Sequence, residues 1–118
     1  MQGVLRGGAL NQEQKKRTLK MDVNGYPDNQ DLKTIQEWYC GDLAGLMDYV
    51  KERWKYPENW EELELTTENK IIYKISTGGW SGNEDLIEAL RQNYMFWVHC
   101  WVSSRRGGHY EFEVKNDA

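Results

Sequence analysis

The chain has 118 residues, a formal net charge of −4, six tryptophans and two cysteines. That length suits a single domain able to bury a core without metal or disulfide staples. It holds no run approaching the ~20 apolar residues of a membrane span, and its acidic balance argues against general nucleic-acid binding.

Charge is distributed unevenly. Lys15, Lys16, Arg17 and Lys20 form a basic N-terminal stretch, and Glu58, Glu61, Glu62, Glu64 and Glu68 an acidic central one. No apolar run follows the N-terminal charges, so no secretory leader is expected and the compartment reads as cytoplasm. Cys40 and Cys100 stand in apolar contexts without a C-x-x-C spacing. Both read as buried small hydrophobes, not as a disulfide framework.

Residues 1–24 show no apolar period and are broken early by Gly3, Gly7 and Gly8. They read as a mobile N-terminal arm ahead of one α+β domain over 25–118. Met21 is an alternative start, with the preceding residues an extension.

Asp28 and Asp31 stand at the reciprocal positions of a capping box. Leu32, Ile35 and Trp38 or Tyr39 then follow on one helical face, with Gly41 as the terminating glycine. Asp42 caps a second helix carrying Leu43, Leu46, Met47, Val50 and Trp54 at offsets of three and four. Tyr56-Pro57 stops it.

Leu63 and Leu65 alternate with glutamates, as in a short edge strand. Residues 67–69 turn the chain, and 70–77 form a strand with Ile71, Tyr73 and Ile75 on one face. Ser81 with Glu84 suggests a capping box opening a third helix over 82–93. Residues 95–103 are apolar on both alternating faces, which predicts a central strand. His99 falls within it, as a core or near-core residue. A turn at 105–108 leads to a last strand, with Tyr110, Phe112 and Val114 inward and Glu111 and Glu113 outward. The expected fold is α+β: two N-terminal helices, then a small mixed sheet of three to four strands with a β-α-β crossover and a C-terminal hairpin.

In that topology strands 70–77 and 95–103 are parallel, joined by a right-handed crossover. Two glycine-rich turns, Ser76–Gly82 and Ser103–Gly108, then meet beyond the strand C-termini, where open α/β sheets bind ligands. Glycines let a backbone approach a ligand, and helix N-termini attract anions. The candidate ligand-binding residues are therefore Thr77, Gly78, Gly79, Trp80, Ser81, Gly82, Ser104, Arg105, Arg106 and His109. The arginines suit a phosphate or carboxylate, and Trp80 suits stacking on a ring. The plain alternative is that the glycines only make turns, Trp80 folds onto the core, and the arginines are solvated or pair with Glu111 or Glu113. Glu84 and Asp85 would also repel an anion at the helix start.

Catalytic patterns are weaker. Gly79-Trp80-Ser81-Gly82-Asn83 nears the nucleophile-elbow pattern but lacks its final glycine, and capping already explains Ser81. No phosphate-binding lysine follows the glycines. His99 and Cys100 are adjacent, so on a strand they diverge, and the acidic stretch lacks calcium-loop spacing. No catalytic residue, metal ligand or cofactor is expected.

Ile75–Asp85, Phe96-Trp97 and Ser103–Phe112 together resemble a family of small uncharacterised proteins encoded by tailed bacteriophages and prophages. The likeness covers roughly residues 70–114 and extends less specifically to the helices from Asp28 to Tyr56. It implies an accessory protein, with anti-defence action among the expected roles, acting in the cytoplasm of the host bacterium, and it carries no catalytic residue over. Two functions are expected from these readings. One is non-enzymatic binding of a nucleotide or other small anion at the paired turns. The other is inhibition or modulation of a host protein through acidic and aromatic surfaces.

Overall fold

The computed structural model describes residues 25–115. The arm expected over 1–24 lies outside them.

Asp28 caps α1 (Asn29–Gln36) with the expected reciprocal box: its carboxylate accepts from the Asp31 amide, and Asp31 accepts from the Asp28 amide. The helix stops at Glu37, short of Gly41. Gly41 has no positive φ and is not the terminating residue. Instead, Trp38 leaves the helix to pack on the core and donates its indole N–H to the Asp42 carbonyl, while Tyr39 is exposed. Asp42 caps α2 (Leu43–Arg53), whose Leu46, Met47 and Val50 are fully buried.

After a 3₁₀ turn at Pro57–Asn59 come β1 (Trp60–Leu65) and β2 (Lys70–Ser76). Then follow α3 (Ser81–Gln92), α4 (Tyr94–Cys100), β3 (Trp101–Arg105) and β4 (His109–Lys115). The fold is α+β, with the two N-terminal helices and C-terminal hairpin expected.

The segment 95–103 corrects the expectation of a central strand. Most of it is helical, and only its end joins the sheet, as an edge. Asn93 is the reason. Its side-chain oxygen caps α4 through the Phe96 amide, and its amide nitrogen donates to the carbonyls of Ile35 and Trp38. Phe96 and Cys100, one helical turn apart, are the residues this helix buries. His99 lies exposed on the same helix, not in the core. Cys40 is likewise exposed, whereas Cys100 is buried, and both are free thiols.

The sheet order is β1-β2-β4-β3 and every neighbouring pair is antiparallel, so the sheet is not mixed. β4 is inserted between β2 and β3. Being antiparallel to both, it leaves those two strands running the same way without being neighbours. The core lies between the helices and one sheet face. It joins Ile35, Leu46, Met47 and Leu90 from helices to Tyr73, Ile75, Phe112 and Val114 from β2 and β4. Phe112 touches Phe96, Trp97 and Tyr110. The opposite face carries Lys74, Glu111 and Glu113, as the strand alternation predicts.

Candidate functional site

The two glycine turns do meet, by direct pairing of β2 with β4. The register places Ser76 opposite His109 and His109 opposite Arg105, so the ends of β2 and β3 lie in one row across β4. One residue further, the Thr77 amide donates to the Gly108 carbonyl at 3.0 Å. A β-carbon on Gly108 would come within 2.3 Å of the Thr77 hydroxyl oxygen, and Gly108 has φ +81°. The contact therefore requires glycine at this position.

Seven of the ten candidate residues, those at 77–82 and Ser104, lie outside the groove that Arg105 and His109 line. Thr77 is fully buried. Its hydroxyl accepts from the Gly79 amide and donates to Glu84. Gly78 and Gly79 carry the loop over at positive φ. Trp80, not Ser81, is the residue before α3, and it supplies no side-chain cap. The capping box expected of Ser81 and Glu84 is replaced by two other contacts. The Ser81 hydroxyl pairs with that of Tyr26, and Glu84 is taken by Thr77. The Trp80 ring packs against Tyr26, lies under the Lys55 ammonium, and covers Gly82, where a β-carbon would strike it. Ser104 accepts the Trp101 indole N–H. These positions close the helix start and the sheet edge.

Three charged or titratable candidates remain. Arg106 is exposed in the hairpin turn. Arg105 and His109 line a groove of about 540 Å³ on the open sheet face. Its floor is half-buried: Ser76, Ser103, His109 and Glu111. Its rim is exposed: Glu58, Glu61, Lys74 and Arg105. Ser76 Oγ and His109 Nδ1 are 2.7 Å apart, a short hydrogen bond that orients the imidazole. None of residues 78–82 lines this groove.

Among the described residues, Arg105, Lys74, Glu58, Glu61 and Glu111 form no ion pair. Charges elsewhere on the surface do, as in Lys51–Glu62, Lys70–Glu113 and Arg91–Glu88. Glu58 and Glu61 enter the sequence reading only as part of an acidic surface, and Ser76, Lys74 and Glu111 are not among the ligand-binding candidates. Alternation along β2 and β4 puts them on one face, but only the inserted position of β4 joins them to Arg105.

The groove contains hydrogen-bond donors, an oriented imidazole and open charges of both signs. No three His, Cys, Asp or Glu side chains among the described residues are grouped to hold a metal. No described helix is long and apolar enough to cross a membrane. Comparison with protein-family models, curated proteins and solved structures finds no match.

Proposed function

We propose that this is a non-enzymatic binding protein whose groove takes a small ligand through an anionic group held by Arg105, His109 and Ser76. The observation that carries the reading is the Arg105 guanidinium. It has no ion-pair partner among the described residues and stands one strand from the Ser76–His109 pair, above a groove open to solvent. A guanidinium forms paired, charge-assisted hydrogen bonds to carboxylate or phosphate. The paired turns serve as the scaffold: Gly108, held against Thr77, lies in the turn between Arg105 at the end of β3 and His109 at the start of β4.

A nucleotide remains within this class, but two features favour a ligand of lower charge. Trp80 is engaged by Tyr26 and Lys55, so it offers no platform in the groove. Glu58, Glu61 and Glu111 line the same space and repel a polyphosphate. The setting, a phage accessory protein in the host cytoplasm, is supported by the resemblance of the glycine-turn segments.

Titration calorimetry with inorganic phosphate, small carboxylates and a nucleotide panel tests the reading. Binding should fall at least tenfold in Arg105→Ala and persist in Trp80→Ala. Loss in Trp80→Ala with retention in Arg105→Ala would move the site out of the groove.

A second reading, modulation of a host protein, is favoured by a different surface. Tyr94, Met95, Val98, Trp101 and Val102 expose apolar side chains along α4 and edge strand β3. A specific protein captured from bacterial lysate and lost on Val98→Asp would support it.

A further inference from the structure

We infer that the groove recognises a zwitterion, a short peptide with a free amino group and a free carboxylate, lying across the strands. The inference rests on the anion reading of Arg105 given above and adds the opposite end of the ligand.

The groove crosses all four strands. Arg105 stands on β3 at one edge, and Glu61 on β1 at the other, with Glu58 beside it on the preceding turn. Between them the cross-strand row runs Glu61, Lys74, Glu111, Ser103. Lys74 sits directly between two glutamates in register, yet no ion pair forms, so the row keeps its charges available.

The balance of charge decides the ligand class. Three carboxylates, Glu58, Glu61 and Glu111, share the groove with Lys74 and Arg105. A site for a pure anion would not keep three unpaired carboxylates in the same space, because each disfavours the bound charge. A ligand bearing one ammonium and one carboxylate satisfies both ends: carboxylate at Arg105, ammonium at Glu58 and Glu61.

Spacing sets the size. Three strand intervals and two residues along β3 separate Arg105 from Glu61, a diagonal of roughly 16 Å at the usual spacings. Allowing about 3 Å for each ionic contact leaves roughly 10 Å between the ligand's charges. An extended tripeptide, at about 3.4 Å per residue, has that reach. A free amino acid is too short to touch both ends.

The test is titration calorimetry of the full chain with trialanine, N-acetyl-trialanine, trialanine amide and inorganic phosphate. Trialanine should bind. N-acetylation should weaken it at least tenfold, and so should amidation. Glu61→Gln should reduce trialanine binding while leaving N-acetyl-trialanine unaffected, and Arg105→Ala should abolish both. Both substituted residues are exposed, and an unchanged thermal melt establishes that each variant is folded. Equal binding of trialanine and its N-acetyl form, dependent on Arg105, would overturn the zwitterion and leave the anion reading standing. Binding of phosphate but not trialanine would do the same. Binding of none of the four would overturn both.

Discussion

At Gly108 two backbone segments pass so close that no side chain fits between them. A methyl group there would overlap the Thr77 hydroxyl, on a backbone already at positive φ. Gly79 has a similar φ but open space around it. Comparing alanine at the two positions separates the effects. Gly79→Ala should cost about 1 kcal/mol of conformational strain. Gly108→Ala should cost about 2 kcal/mol or more, because overlap adds to strain. Thermal melts check the order, and a smaller loss at Gly108 would mean that the Thr77–Gly108 contact is not what joins the turns. The glycines marked both turns in the sequence, but the Thr77–Gly108 contact itself follows from the pairing of β2 with β4. For Trp80 the sequence left two readings open, because an aromatic beside glycines looks alike whether it stacks on a ligand or packs internally; in the structure it packs against Tyr26 and covers Gly82.

Among the elements, α4 carries the main lesson. Met95–Ser103 alternates apolar residues well enough to read as a strand, and the same residues satisfy a short helix. Periodicity over so few residues does not discriminate. The decisive signal is Asn93, which ends α3, caps α4 and ties both to the end of α1. Asn93→Ala removes the cap and leaves buried backbone groups without partners. It should cost about 2–3 kcal/mol. Denaturant unfolding should show a lower midpoint at unchanged slope. A loss below about 0.5 kcal/mol would mean that packing of Phe96 and Cys100 alone positions α4.

For the whole molecule, stability at low pH depends on the link between α1 and α2. Burial works to raise the Asp31 carboxyl, but the Arg53 charge, the Asp28 amide and the Tyr49 hydroxyl outweigh it and hold it below its ordinary 3.8. The Arg53 Nε lies 3.1 Å from the Asp31 carboxylate. A lowered carboxyl stabilises the fold above its ordinary value, and that contribution is lost as pH falls through the lowered one. Asp31→Asn should therefore cost roughly 3 kcal/mol at pH 7. The gap to the unsubstituted protein should narrow below pH ~4. A gap constant from pH 7 to 2 would exclude the carboxylate charge as its source.

The sequence by itself determined the local features: the caps at Asp28 and Asp42, the apolar face of α2, the alternation of β2 and β4, and the glycines of both turns. These follow from near-neighbour geometry, which a few consecutive residues specify. It also suggested that the turns meet, but through parallel strands of a mixed sheet; they meet because β4 pairs directly with β2. Only the tertiary structure decided that β4 separates β2 from β3. A hairpin strand can pair on either edge of its partner, and the choice depends on which position completes the core around Phe112. That insertion places His109 between Ser76 and Arg105, draws Glu61, Lys74 and Glu111 into one row, and moves the candidate site from the glycine loop to the open face of the sheet.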